Sequence, residues 1–245
     1  MVRTCGGFML MLLLAGCQSA STSNVMYAPD ESPGRAALTE SLFRSDQEVM
    51  TNESIERILD STVVLPAHSR IVVLRFGETQ PRYYWWWSSP EAARLEQGTL
   101  DGLLDELRKS PRVGSAMLLP SMLVPPSHSI PHLRQAAARC QADLVLLYRT
   151  SHYTYEKQRA FAADQVRAYC VVESVLLDVR TGVIPFTSTA VRDYTAEKTG
   201  KDINFAETVQ LAQINAQAEA LKKISTETVA FLGDVPASPE AAGNH

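Results

Sequence analysis

The residue types that carry out nucleophilic, phosphate or acid–base chemistry occur in this chain, but not at the spacings that such chemistry requires. Ser115 follows Gly114 without the second glycine of a serine nucleophile elbow. Thr199-Gly200-Lys201 lacks both the upstream glycine and the following Ser or Thr of a phosphate-binding loop. Asp178 precedes a Thr-Gly turn, where a carboxylate normally hydrogen-bonds its own backbone. We therefore expect no catalytic residues, and the chain is predicted not to be an enzyme.

Metal and thiol chemistry find no better support in the sequence. His128 and His132 stand four residues apart, but a proline between them places His128 ahead of the predicted helix, and no carboxylate or cysteine is close by. Cys140 or Cys170 could be matched with His152 only as any cysteine and histidine could, because no local motif joins them. The sequence predicts neither a metal site nor a cofactor.

Cys17 is the cysteine whose position does indicate a definite chemistry. It ends the tetrapeptide Leu14-Ala15-Gly16-Cys17, which follows Arg3 and a short apolar run, the layout of a secretory signal. The motif resembles the lipobox of bacterial lipoproteins, in which the matching cysteine receives a diacylglycerol and becomes the new N-terminus. The resemblance implies a signal peptide over residues 1–16, with a covalent diacylglycerol and a palmitate-type acyl chain at Cys17. An ordinary signal peptide or a membrane helix is the alternative, although the run is shorter than the roughly 20 residues that span a bilayer.

The charge of the mature chain excludes two kinds of partner. Arg3 is the one charged residue of the signal, so the mature chain keeps 22 of the 23 basic side chains against 27 acidic ones. A mildly acidic protein without a basic cluster has no electrostatic footprint for nucleic acid. It also lacks a polybasic segment for anionic lipid, so membrane contact is expected through the lipid anchor.

Two cysteines, Cys140 and Cys170, remain after removal of Cys5 and modification of Cys17. An exported protein enters a compartment that permits disulfides, which leaves a Cys140–Cys170 bridge open. Buried free cysteines also pack well as small apolar groups, so the pair of free thiols is the other outcome.

The domain organisation follows from composition. Residues 17–36 are rich in Ser, Thr, Asn and Pro and predict a flexible tether with a reach of roughly 25 Å. Residues 37–62 form an N-terminal helical segment, and 63–232 form one α/β domain. Residues 233–245 are predicted to be a disordered tail.

The predicted elements of the α/β domain give a mixed sheet. Ile71–Phe76 and Asp143–Tyr148 are apolar runs typical of strands covered on both faces. Two longer strands, 167–179 and 183–194, are joined by a turn at Gly182, and helices begin near Pro90, Pro131 and Asn204. With a short strand near 113–119, the order is β-α-β-α-β-β-β-α. This predicts an α/β (α+β) fold with about five strands and helices packed on the sheet.

Three segments carry a resemblance to a group of bacterial envelope proteins: Ile71-Val72-Val73-Leu74-Arg75-Phe76, Ala142-Asp143-Leu144-Val145-Leu146, and the segment from Leu176 to Gly182 with its D-x-x-T-G turn. The group includes the curli-secretion channel lipoprotein, an exopolysaccharide-export lipoprotein, the lipoprotein activators of penicillin-binding proteins, and the N-terminal domain of the Tol β-propeller protein. The resemblance covers residues 69–232. It implies a small α/β fold that acts by binding or assembling, and it transfers no site residue.

All three tryptophans lie in one aromatic segment, which is the predicted contact surface for a partner or a membrane. Such side chains combine a large apolar area with a polar group and favour interfaces. In the alternative, Tyr84 and Trp86 cover the end of the core and the others pack on a neighbouring loop. The segment consists of Arg82, Tyr83, Tyr84, Trp85, Trp86 and Trp87.

Together these features predict a lipid-anchored cell-envelope protein that binds or assembles with envelope proteins and performs no catalysis. It either regulates an envelope enzyme or forms a homo-oligomeric subunit of an outer-membrane export or surface-assembly apparatus; an envelope hydrolase is the third alternative. Gln18 resembles the residue that directs enteric lipoproteins to the outer membrane, facing the periplasm. In a single-membrane bacterium the same anchor would place the chain on the outer face of the cell membrane.

Overall fold

A computed structural model describes residues 50–76, 90–125, 129–157 and 162–238. The signal peptide, Cys17 and the tether lie outside these residues, so the predictions made for them stay predictions. Within the described ranges, no helix is both long and apolar enough to cross a membrane.

One five-stranded sheet with the strand order β2-β1-β3-β4-β5 organises the domain. β1 runs parallel to both β2 and β3, whereas the β3–β4 and β4–β5 pairs are antiparallel. This confirms the predicted mixed sheet. The strands are β1 (Ser69–Arg75), β2 (Val113–Leu118), β3 (Leu144–Lys157), β4 (Gln165–Asp178) and β5 (Phe186–Glu197).

Among the described residues, four α-helices accompany the sheet in the predicted order. A short 3₁₀ helix, Ser121–Leu123, lies in the proline-rich connection after β2. Thr51 caps α1 and Asn204 caps α4, each accepting a hydrogen bond from a backbone N–H of the first turn. The helices are α1 (Asn52–Leu59), α2 (Pro90–Arg108), α3 (Ile130–Arg139) and α4 (Phe205–Asp234).

The core has two parts, one on each side of the sheet. β1 shows the division, because Ile71 and Val73 pack into the cluster beneath α2 and α4, whereas Val72 and Leu74 pack into the cluster beneath α3. Burial on both faces explains why this strand is a continuous apolar run rather than an alternating one. We call β1 together with residues 144–148 and 174–178 the closed region.

Helix α4 packs closely against its neighbours through a row of small side chains. Ala212, Ala216 and Ala220 are fully buried, whereas the larger Leu211 and Phe231 are only half-buried. The helix contacts both α2 and the strands β4 and β5, so two of its flanks are buried. Small side chains permit that close approach, and the row of alanines is the centre of the packing.

The turn between β4 and β5 confirms the structural role predicted for Asp178. The backbone N–H of Arg180 and the hydroxyl of Thr181 donate hydrogen bonds of 3.0 and 2.6 Å to its carboxylate. Gly182 has φ of +80°, which a residue with a Cβ adopts only with strain. Asp178 therefore stabilises its own turn.

Cys140 and Cys170 are free thiols in this structure, so the bridge left open by the sequence is absent. The physical reason is the sheet itself. Cys170 lies in the cluster beneath α2 and α4, whereas Cys140 packs against the cluster beneath α3. A bridge would have to cross the plane of the strands.

Candidate functional site

Strand β3 does not end at Tyr148, as the sequence predicted, but continues to Lys157. Its second part pairs with the first part of β4, which pairs in turn with the second part of β5. We call these residues, 149–157, 165–173 and 189–197, the open ladder. They extend beyond the end of β1, whose Arg75 is opposite Tyr148.

The two faces of the open ladder have different surroundings. On one face Val166, Ala168, Cys170 and Val172 are completely buried in the cluster to which α4 contributes. Side chains alternate between faces along a strand, so the intervening residues lie on the other side. No described helix packs over that side, because the cluster beneath α3 ends with Leu147 and Val175. We call it the ladder face: Arg149, Ser151, Tyr153, Tyr155, Arg167, Tyr169, Val171, Glu173, Thr189, Val191, Asp193 and Thr195.

Large apolar side chains are exposed on the ladder face. Tyr153, Tyr155 and Val191 leave 54%, 69% and 53% of their surface accessible. Tyr169 and Val171 beside them are partly accessible. Single exposed apolar residues are ordinary, but a contiguous group that includes three tyrosines on rigid strands is typical of a surface that a partner covers.

Tyr169 lies at the centre of the aromatic group and is held from two sides. The ring of Tyr155 meets it edge to face, with 5.7 Å between ring centroids. The guanidinium of Arg167 lies over the ring at 5.1 Å from the centroid. Both contacts are favourable geometries for an aromatic ring, so they hold Tyr169 in a defined orientation.

Two ion pairs border the aromatic group. Arg149 Nε donates to Glu173 Oε2 at 3.0 Å across the β3–β4 pair. Arg167 Nε donates to Asp193 Oδ2 at 2.9 Å, and hydrogen bonding to Asp193 raises the pKa of the Arg167 guanidinium. The ladder face therefore has an apolar centre and a charged border, the arrangement found in protein–protein interfaces.

A pocket of about 320 Å³ opens where the ladder face meets the closed region. Phe76, Leu147 and Val175 line its apolar side, and Arg149 and Glu173 line its polar side. This volume is at the lower end of the roughly 300–1,000 Å³ of ligand sites, so a side chain of a partner could enter it.

Charged side chains occupy part of the sheet edge at β5. The carbonyl oxygens of Thr189 and Val191 accept hydrogen bonds from Lys223 Nζ at 3.5 Å and from Arg192 Nη1 at 2.8 Å. Charged side chains on an edge strand discourage the addition of another strand. A partner is therefore expected on the face of the ladder rather than along its edge.

The structure does bring Cys170 and His152 together, directly opposite each other in β4 and β3. Burial raises the pKa of the Cys170 thiol to about 12. Burial and the charge of Arg75 lower the pKa of His152 to about 4, although a hydrogen bond with Gln217 acts in the other direction. A thiolate nucleophile requires the opposite shift for the thiol. These two groups are neutral side chains beneath α4, and their arrangement favours packing rather than catalysis.

Most of the other predicted site residues fall outside the described ranges. The aromatic segment with Arg82, Tyr83, Tyr84, Trp85, Trp86 and Trp87 lies outside the described residues, as does His128. His132 is within hydrogen-bonding distance of Ser129 Oγ, at 2.7 Å from Nδ1. In the described part of the chain, no three His, Cys, Asp or Glu residues are grouped to hold a metal ion.

Sequence reasoning missed the ladder face, although a weak signal for it exists. Alternate positions after Tyr148 read Ser151, Tyr153 and Tyr155, and β4 begins with Arg167, Tyr169 and Val171 on the same face. Alternation of aromatic and polar residues is typical of a strand with one covered face. The alternation was hidden because the covered face of β3 also carries polar residues, Thr150 and His152.

Comparisons with known proteins give similarities of fold. No protein-family model matches the sequence, and no curated protein is significantly similar to it. A Caulobacter crescentus protein described as a lipoprotein is similar over 68% of this chain and 93% of its own, with 17% identity and a TM-score of 0.38. The PelC dodecamer of Paraburkholderia phytofirmans is similar over 65% of this chain and 94% of its own, with 15% identity and a TM-score of 0.32. The C-terminal domain of LpoB from Salmonella enterica is similar over 57% of this chain and 92% of its own, with 11% identity and a TM-score of 0.27. Similarity at this level assigns no role to the chain.

Proposed function

We propose that this chain is a lipid-anchored protein of the bacterial cell envelope that acts by binding a protein partner, without catalysis, through the ladder face. The observation that carries the proposal is the exposed aromatic group on that face, with its ordered rings and charged border. Aromatic side chains on rigid strands provide large contact area at little cost in conformational entropy.

The lipobox and the position of Gln18 support the cellular location. They favour an anchor at Cys17 in the outer membrane, with the folded domain facing the periplasm. A tether that starts at an anchored residue gives the domain freedom to reach a partner away from the membrane surface.

The ladder face is tested by photo-cross-linking in intact cells. The full-length chain carries a photoreactive phenylalanine analogue at Tyr153 or Tyr155, and a matched control carries it at Thr226, an exposed position on α4. We expect discrete adducts from the two ladder positions and none from Thr226. Absence of adducts at the ladder, or equal adducts at Thr226, would contradict the proposed surface.

The anchor is tested separately. Wild-type protein should incorporate labelled palmitate and sediment with membranes, whereas Cys17→Ser should do neither. The C140A variant is the matched control and should behave as wild type. A wild-type chain that stays unlabelled would overturn the proposed anchor and leave the binding surface to be judged on its own test.

A further inference from the structure

We infer that the ladder face receives helix α1 of a second copy of this chain, so that copies associate head to tail. The inference deepens the proposed function and rests on it, since it names the partner of the same surface. Its first support is that α1, like the ladder face, has an apolar side that is largely exposed.

Helix α1 is amphipathic and mostly exposed. Ile55, Ile58 and Leu59 follow one another on one side of the helix, and no residue of α1 is buried. Ile55 and Leu59 leave 42% and 77% of their surface accessible. Isolated helices shorter than about 12–15 residues are marginal in water, so a helix of eight residues requires a surface on which to bury its apolar side.

An anionic membrane is a poor candidate for that surface. The polar side of α1 and its C-cap carry Glu53, Glu56 and Asp60 against a single basic residue, Arg57. Helices that lie in the membrane interface are usually basic on their polar side, because the lipid headgroups are anionic. A protein surface with exposed aromatic rings fits an acidic amphipathic helix better.

The outer end of the ladder face, at Tyr153 and Tyr155, is far from α1 of the same chain. Leu65 is held to the end of the fold by its bridge with Ala237. The connection from Leu59 to Leu65 extends at most about 20 Å. Ile71 is opposite Leu144, and Tyr153 lies nine residues further along β3, a separation of about 30 Å. The apolar side of α1 therefore reaches Tyr153 and Tyr155 more readily on another copy than on its own chain.

The area of such a contact is small but sufficient for confined molecules. The exposed parts of Tyr153, Tyr155 and Val191, together with those of Met50, Ile55 and Leu59, amount to roughly 600 Å² of apolar surface. Apolar atoms contribute about 57% of a typical interface, so the total is roughly 1,000 Å², the smallest size of a biological interface. Anchoring raises the effective concentration of copies, and we expect association at the membrane rather than in dilute solution.

Two different surfaces in one contact make the association heterologous. Each copy offers α1 to one neighbour and its ladder face to another, so the chain of contacts either closes into a ring or continues as a filament. A symmetric dimer in which two ladder faces meet is a different arrangement, and the experiment below separates the two.

The test is disulfide trapping between two tagged, full-length, lipidated copies that both carry Cys140→Ala. One copy carries a cysteine at Ile55 or Leu59, and the other carries one at Tyr153, Tyr155 or Val191. We expect a mixed disulfide dimer from α1–ladder combinations, and none when both copies carry the cysteine on α1 or when Thr226 replaces the ladder position. Variants with both cysteines in one copy should form a series of multimers.

Failure of the inference is distinguishable from failure of the proposed function. No mixed dimer in any combination, with the variants folded by circular dichroism, would overturn the head-to-tail contact. If photo-cross-linking at Tyr153 then still captures another protein, the binding surface stands with a different occupant. Efficient ladder-to-ladder disulfides would replace the inference with a symmetric dimer.

Discussion

The closed region and the open ladder share strands β3 and β4, but side chains are buried on both faces of the sheet in the first and on one face in the second. Leu146 and Leu176 in the closed region are fully buried on one face, and Val145 and Leu177 are buried on the other. In the open ladder only one face is covered, as the alternation of buried and accessible residues from Val166 to Val172 in β4 shows. Beyond the part of the sheet that α3 covers, strands β3 and β4 keep their hydrogen-bonded pairing but have one exposed face. A partner can bind to that face.

The largest expected contrast between the two regions is in stability. Leu176→Ala removes a fully buried side chain and should lower the free energy of unfolding by about 2–5 kcal/mol. Val191→Ala on the ladder face should change it by less than about 1 kcal/mol, because half of Val191 is already in water. Urea denaturation followed by circular dichroism measures both. A large loss from Val191→Ala would mean that the ladder face is packed and would break the comparison.

The second prediction concerns the covered side of the open ladder and depends on pH. Burial and Arg75 lower the pKa of His152 from 6.5 to about 4, so the folded state binds fewer protons than the unfolded state in this interval. Stability is therefore fully present above pH 6.5 and declines as the pH falls towards 4, by up to about 3 kcal/mol.

The matched variants isolate this effect. His152→Gln should flatten the decline between pH 6.5 and 4, as measured by urea denaturation at a series of pH values. His68→Gln, at an exposed histidine, should leave the decline unchanged. If the loss of stability persists in full in His152→Gln, other titratable groups cause it, and His152 is not the source of the pH dependence.

The smallest expected effect sharpens the description of the ladder face. Arg167 and Asp193 are both exposed, so a double-mutant cycle with Arg167→Gln and Asp193→Asn should give a small coupling energy that falls further at high salt. The Arg167→Gln change should reduce the yield of photo-cross-linking from position 155, because Arg167 orders the Tyr169 ring. The same change should leave the free energy of unfolding nearly unchanged. A coupling of several kcal/mol would identify the pair as structural.

The closed region could be predicted from the sequence because its residues obey a local rule. Ile71 to Leu74 are apolar without interruption, since each side chain has a helix over it. Asp178 with Thr181-Gly182 predicts its turn, and Asn204 with Glu207 predicts the start of α4, because each involves contacts within a few residues.

The candidate site could not be predicted in the same way, because it depends on register. Tyr155 meets Tyr169, and Cys170 lies opposite His152, only when β3 and β4 pair as they do over 14 residues. The residues between Arg149 and Lys157 contain no strong apolar alternation that would announce a strand. The pairing is specified by the buried partners of β4, which are distant in sequence from β3's exposed tyrosines.

The bridge between Leu65 and Ala237 has a mechanical consequence. The backbone N–H of Leu65 donates to Pro236 at 3.2 Å, and that of Ser238 donates to Leu65 at 2.8 Å, so the incoming and outgoing ends of the domain are clamped to each other. Tension applied from the N-terminal side loads this clamp first. It then loads β1 along its axis, where hydrogen bonds to β2 on one side and to β3 on the other must shear together. A pull from that direction is therefore opposed by both parallel pairings of β1.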